Sequence, residues 1–573
     1  MKERTLFWRR LVMTNAKKWI CGFVFGSILL LLSYFLYDHF RYSTEKVDLF
    51  ERNHISIVMD GKILPYTVKK SGNTTLLPVS FLKEQFDPQL YVDESTNSVI
   101  LTTDDNVIVL KDSQIQGLVN PVNLSLPVPL QQDKQEYWIP TDPLTHIYPF
   151  QVDSEQKQVV VVTKTNTVNK YATVEKDKQQ GSHLRMDPNR KSSITADVSL
   201  HEKVFAVNQQ NNWTFVQKEN GFFGWIETDM LSGVIKPETA KTSTSPSILT
   251  PTKSAAANIN LTWEAVYCCN PDPATLQPLP GVNVVSPTWF SLGDANGNLT
   301  NKTSLPYITW AKANGKQVWA LFSNEFEPVK THAFLTNYQA RMLAIQQLVA
   351  WTKLYNLEGI NIDFENVYLE DKPHLVQFVR ELTPFLHKEG KIVSIDVTHP
   401  GGSDMWSLFL DRQTLAKSVD YMMVMSYDEH WAGGPEAGSV ASLPWVEKGI
   451  QEMLKEVPAE KLILGVPFYT RLWNIKDGNV TSQTMSMDAA RAWVAEHQLT
   501  PTVDEETKQQ YVEFLNPDGS MSRMWLENEV SVKQRIDLIH KYKLAGIGSW
   551  ARAFSSNEIW NTVNQNLHLE GSQ

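Results

Sequence analysis

Cysteine is nearly absent from this 573-residue chain, which holds three: Cys21, Cys268 and Cys269. Cys21 lies inside an apolar run and the other two are adjacent. A disulfide between neighbours is strained, so no disulfide framework is expected, and Cys268 and Cys269 read as small buried residues. Zinc-type Cys/His spacing, a phosphate-binding glycine loop and a dinucleotide fingerprint are also missing, so no metal or cofactor is expected. The net charge of −10 is mild for this length and argues against a nucleic-acid partner. What remains is a folded chain, 42% hydrophobic and 20% charged, long enough for several cores.

Charge is lacking in one further place. Trp19 to Tyr37 (WICGFVFGSILLLLSYFLY) carries none, and is about as long as a helix that crosses a bilayer. Lys2, Arg4, Arg9, Arg10, Lys17 and Lys18 precede it, so the positive-inside rule predicts a cytoplasmic segment over 1–18, a transmembrane helix over 19–37 and everything later outside the cell. A cleaved signal peptide is the alternative. The run is long for one, and no small-residue cleavage site follows.

Residues 48–165 read as two similar halves. LLPVSFL (76–82) leads to YVDESTNSVILTT (91–103), and WIPTDPL (138–144) leads to QVDSEQKQVVVVT (151–163). Each half predicts a short helix after a proline, a turn and a β-branched strand. The pattern resembles the N-terminal domain of copper amine oxidases, used as a stalk; no copper-ligand cluster accompanies it. Residues 171–235 predict short strands in a small all-β barrel. Trp213, Val216, Gly221, Gly224, Trp225 and Ile226 resemble the ending of bacterial Src-homology-3-like domains, which implies wall-peptide binding. Core packing by Trp213 and Trp225 is the plainer reading. The Ser/Thr/Pro/Ala-rich segment 236–257 predicts a linker.

From Asn258 to the C-terminus, eight apolar stretches alternate with helical periods: INLTWEAV (259), VNVVSPTWF (282), QVWALFS (317), GINIDFE (359), KIVSIDV (391), VDYMMVMSY (419), KLILGVPFY (461) and GIGSW (546). The clearest helix follows Pro373, with Leu375, Phe378, Val379, Leu382, Phe385 and Leu386 on one face and Gly390 as its stop. This predicts a (β/α)8 barrel over 258–573, with a doubly wound sheet as the alternative. A small insertion is expected over about 499–530.

In such barrels chemistry sits at the C-terminal strand ends. In GINIDFENV, Asn361, Asp363 and Glu365 occupy one face of strand four, while Ile360, Ile362 and Phe364 occupy the other. Two carboxyls that close cannot both ionise in a secluded site, so one keeps its proton near neutral pH, as a glycosidic leaving oxygen requires. Glu365, longer and nearer the end, is the better donor. Tyr427 and Asp428 end strand six, followed by Glu429, His430 and Trp431; Tyr469 and Arg471 end strand seven, and Trp550 ends strand eight. Acids beside planar rings suit a carbohydrate.

These motifs resemble family 18 glycoside hydrolases, chitinases and relatives. Glu358, Asn361, Asp363 and Glu365 lie where the family has D-x-x-D-x-D-x-E, Met425, Tyr427 and Asp428 match its M-x-Y-D, and GVPFYTR is similar to its strand-seven motif. NIDFENV and MSYDEHW look nearest to spore-cortex and cell-wall N-acetylglucosaminidases. The resemblance implies substrate-assisted retention, with Glu365 as acid then base, Asp363 orienting the sugar's 2-acetamido group, Tyr427 hydrogen-bonding it and Trp550 flooring the subsite. Asn361, Asp428, Tyr469, Arg471, His430 and Trp431 are the expected further substrate contacts, with a structural role the alternative for His430. The implied substrate is peptidoglycan or a chitin-like glycan, and the transmembrane helix predicted over 19–37 puts the expected localisation at the outer face of the cell membrane. Two departures stand out: Glu358 and Asn361 replace aspartates. A non-hydrolytic, lectin-like surface protein and a wall-tethering scaffold are the rival readings; lectin-like relatives lose the acid, which is present here.

Overall fold

A computed structural model describes residues 19, 22–35, 37, 41–51, 54–114, 116–120, 122–154, 159–165, 171–176, 182–232 and 258–568. The expected linker and cytoplasmic segment lie outside the described residues. The chain divides into two compact units, one of residues 1–88 and 126–245, the other of 89–125 and 246–573.

The expected membrane helix is described only in part, its continuous helical stretch being 22–35. Among the described residues no helix is long and apolar enough to cross a membrane.

In the first unit, the two predicted short helices are Val79–Gln85 and Thr141–Ile147, each starting after a proline that holds extended backbone, Pro78 and Pro140. The strands leading into them, Thr74–Pro78 and Glu136–Pro140, pair antiparallel. Residues 171–227 contribute a six-stranded sheet over a core of Leu184, Val204, Val216 and Ile226. Trp213 and Trp225 are half-buried rather than central, Trp225 resting on Phe215 with ring centres 5.2 Å apart. Gly224 is required there: a Cβ would stand 2.5 Å from Thr195 Oγ1 and 2.7 Å from the Arg185 carbonyl.

The second unit is built on eight strands: β1 (Ile259–Glu264), β2 (Val284–Pro287), β3 (Gln317–Ser323), β4 (Gly359–Asp363), β5 (Ile392–Val397), β6 (Tyr421–Met425), β7 (Leu462–Pro467) and β8 (Gly546–Trp550). Each is parallel to the next, and β8 pairs with β1 to close the barrel. Leu261, Trp263, Trp319, Leu321, Tyr421, Met423 and Ile463 pack in its interior. Ile360, Ile362 and Phe364 face the other way, into the large core under the helices. The helix after Pro373 spans Lys372–Lys388 and buries Leu375, Phe378, Val379, Leu382 and Leu386, with Gly390 at φ +67° beyond its end. Phe364 stacks on Phe378 at 5.8 Å, which fixes the outward side of β4's end and so the inward side as well.

Three details differ from expectation. The inserted sheet begins well before 499: five antiparallel strands run from Tyr469–Lys476 to Met521–Trp525 around the helix Met487–Glu496, because Tyr469–Lys476 already pairs along its whole length with Asn479–Ser486 and, through Trp473 to Ile475, with Met521–Trp525. Cys268 and Cys269 are free and exposed, since the chain leaves the barrel after Glu264 into an open loop. Strands of residues 91–125, the first two of which belong to the first repeated half, form a five-stranded meander within the second unit.

Candidate active site

The β4 column rises from the bottom of the barrel to its mouth. Glu358, one residue before the strand, accepts from the Val318 N–H at 2.9 Å and pairs with Lys312 at 3.2 Å. It closes the barrel's lower end and takes no part in the upper site. Asn361, fully buried, donates from Nδ2 to Asp396 Oδ2 at 2.7 Å and accepts from Ser394 Oγ at 3.0 Å. Asp363 is buried above it, and Glu365 stands half-buried two residues further on.

Removal from water acts first on these acids. Burial pushes the Asp363 carboxyl up to about 7. Burial likewise raises Glu365 well above the ordinary range, and the negative charges of Asp363 and Asp428 add to it. Tyr427, half-buried at the end of β6, is also pushed up, by burial and then by Asp396, Tyr469, Asp363 and Glu365. The arrangement therefore offers a protonated carboxylic acid at the mouth, a second acid beneath it and a phenol that keeps its proton as a hydrogen-bond donor.

The chain holds Glu365 in place by its backbone. Asn324, buried just past β3, accepts from the Glu365 N–H at 3.1 Å and donates to its carbonyl at 2.8 Å, while also reaching Thr331 at 3.0 Å. Asp428, at φ +59°, accepts from the Tyr469 hydroxyl and from Arg471 Nη2, both at 2.7 Å. Tyr469 and Arg471 are on the first strand of the inserted sheet, not on β7, which ends at Pro467. The insertion thus supplies the groups that fix Asp428.

Trp550 ends β8, with its ring 6.0 Å from that of Trp263. Trp431 is exposed in the loop after β6, 55% of its surface open to solvent. His430 keeps its Nδ1 against the Ser439 carbonyl at 2.8 Å and packs on Gly438, where a Cβ would meet the ring at 2.4 Å. That ring nitrogen braces the loop.

Two residues escaped the sequence reading. Asp396 stands inside the barrel on β5 beside Asp363; its signal was Ser394 and Asp396 alternating on one face of an otherwise apolar strand. Asn324 showed no periodic signal, lying between Ser323 and Glu325 in a polar stretch at a strand end. Glu264, at the end of β1, is taken up by Arg552 at 2.9 Å and by the Tyr307 hydroxyl at 3.2 Å, so it serves as a structural ion pair. Among the described residues no cluster of His, Cys, Asp or Glu could hold a metal ion.

Residues 56–163 match the copper amine oxidase N-terminal domain, and residues 291–554 match glycosyl hydrolases family 18. The chain is 27% identical over 291 residues to the uncharacterized glycosylase YvbX of Bacillus subtilis, covering 49% of this chain and 84% of that protein. To the cortical fragment-lytic enzyme of Bacillus anthracis it is 23% identical over 284 residues, covering 48% and 66%. The fold is like that of the spore cortex-lytic enzyme SleL of Bacillus megaterium, with a TM-score of 0.50 and 20% identity over 54% of this chain and 74% of that one. The barrel domain is a glycosidase domain of glycosyl hydrolase family 18.

Proposed function

We propose that this protein is a membrane-anchored glycosidase that cleaves β-1,4-linked N-acetylglucosamine glycans outside the cell, with peptidoglycan as its polymer. One observation carries the reading. Glu365 is a half-buried acid at the barrel mouth, its proton held more tightly by burial and then by the charges of Asp363 and Asp428. In the reaction, Glu365 protonates the oxygen of the bond being broken. The acetamido oxygen of the same sugar attacks its anomeric carbon, forming an oxazolinium ion. Ionised Glu365 then takes a proton from water as that water opens the ring, so the configuration is retained and the acid is restored. Asp363 lies below to orient the acetamido group, Tyr427 donates to its carbonyl, and Trp550 offers a flat apolar floor to the sugar. Asn361 acts behind Asp363. Asp428 with Tyr469 and Arg471, and the exposed Trp431, are further contacts along the glycan.

The relative and the solved structure named for lysis of the spore cortex support an N-acetylglucosamine polymer. Peptidoglycan is favoured because the sequence places an apolar run, with cations before it, ahead of a stalk (48–165) and a small Src-homology-3-like domain (171–235). Within that run Trp19, Phe23, Leu30 and Phe35 are exposed, as residues that face lipid would be. Alkaline extraction of membranes tests the anchor, since an integral chain stays with the lipid and a peripheral one is released.

Incubation of the full chain with peptidoglycan and with chitooligosaccharides, read by mass spectrometry, tests the activity. Muropeptides with a freed N-acetylglucosamine end support the proposal. Binding to either glycan with no product from either identifies a lectin instead.

A further inference from the structure

Beneath Glu365 two buried acids stand side by side, and only one of them belongs to the strand-four motif. The β4–β5 register sets Asn361 beside Ser394 and Ile362 beside Ile395. One step further it brings Asp363 beside Asp396, on strands about 4.8 Å apart. Both acids are buried, Asp363 at 7% and Asp396 at 3% exposure.

The hydrogen bonds around them are incomplete in a matching way. Asn361 Nδ2 occupies Asp396 Oδ2, and Ser394 Oγ, donating to Asn361 Oδ1, fixes which way the amide points. Asp396 Oδ1 and Asp363 Oδ1 are left buried without a partner. An orphaned buried oxygen is costly, and two ionised acids in one dry layer are costlier still. A single proton between two such oxygens relieves both. The groups that face Asp396 contain no cation that could hold it ionised. They are Asp363 and Glu365 from β4 and its end, Asn361, the Trp263 indole from β1 and Tyr427 from the end of β6. The indole N–H of Trp263 comes close enough to Asp396 to favour its charged form, without completing a hydrogen bond.

We propose that Asp396 is a positioning residue that shares one proton with Asp363 across the β4–β5 seam, clamped for that task by the amide of Asn361. This explains why an amide replaces the family's aspartate at 361. A carboxylate there could not donate to Asp396, and would add a third acid to the layer. The shared proton limits the pair to one negative charge through the neutral range. A second appears only as the pair's remaining proton leaves, and both charges hold the proton on Glu365. Burial raises Asp396 well above the ordinary carboxylate range, as sharing requires.

The inference rests on Glu365 as the acid, and its test has two independent arms on the full chain in detergent. In the first, the pH profile of kcat/KM on the active glycan is compared with that of Asp396→Asn. The expected result is an alkaline limb moved to lower pH by about one unit, because one negative charge near Glu365 is gone. With it come a kcat at least about tenfold lower and a KM within about threefold. A uniform loss with unmoved limbs would make Asp396 a packing residue and overturn the proposal. The second arm reads the proton without turnover, so it stands even if no glycan is cleaved. Infrared spectra of the Glu365→Gln chain at pH 6 are expected to show a protonated-carboxyl band that Asp363→Asn and Asp396→Asn each shift or remove. Spectra in which either substitution leaves that band unchanged would place the proton on one acid alone, and overturn it.

Discussion

Arg341, fully buried in the helix Tyr338–Leu354, reaches Asp93, 248 positions earlier in the chain, at 3.2 Å. The same guanidinium grips Glu381 through Nε at 2.8 Å and Nη2 at 3.0 Å, so one cation serves two buried acids. Tyr91 adds a hydrogen bond of 2.5 Å to His374. Through these contacts the strands of 91–125 belong to the same body as the barrel.

Arg341→Met leaves Asp93 and Glu381 buried without a cation, which costs about 3–5 kcal/mol. The unfolding transition of the barrel is expected at clearly lower urea in this variant, with an unchanged turnover rate in dilute buffer. Asp93→Ala leaves the Glu381 fork intact and costs less. Equal, negligible shifts for both variants would show that the meander's attachment does not depend on this charge cluster.

Asn324→Ala strips partners from the Glu365 N–H and carbonyl together. Each buried group left unpaired costs about 1–3 kcal/mol, and the acid loses its fixed height at the barrel mouth. The expected outcome is a kcat lowered about tenfold to a hundredfold with KM changed far less. Steady-state kinetics check it; a change confined to KM would contradict it.

Asp428 is among the charges that raise Glu365. Asp428→Asn removes that charge while keeping an oxygen for Tyr469 and Arg471. The alkaline limb of the kcat/KM profile is therefore expected at lower pH than in the wild type, and a limb at higher pH would contradict the assignment.

Asp363 binds its proton more tightly in the folded state, up to about 7, than in the unfolded chain. A carboxyl shifted in this direction weakens the fold as pH rises from about 4 towards 7, because the unfolded state releases the proton first. Asp363→Asn removes that loss. Its melting temperature is expected to gain on the wild type between pH 4 and pH 7, though activity falls at every pH.

Much of the barrel could be read from the chain because its signals are local. Ile360, Ile362 and Phe364 alternate with Asn361, Asp363 and Glu365 within seven residues, and the helix of 372–388 shows its apolar face at three- and four-residue spacing. The meander's allegiance could not be read, since it depends on Arg341 meeting Asp93 across 248 positions. Tyr469 and Arg471 were expected at the end of β7, for nothing in GVPFYTR marks the step from a barrel strand to a separate sheet. Asp396 was legible in kind, as a polar residue two beyond Ser394. Its significance depends on a neighbouring strand whose register the chain does not state.

The central claim is that the proton for the leaving group resides on Glu365. Glu365→Gln keeps the side chain's size and its backbone clamp to Asn324 while removing the transferable proton. Release of sugar fragments from purified peptidoglycan by wild type and variant, at equal concentration and matched melting temperature, tests it most directly. The account predicts a rate at least about a thousandfold lower for the variant. A variant that releases fragments at a rate near the wild type's would contradict it.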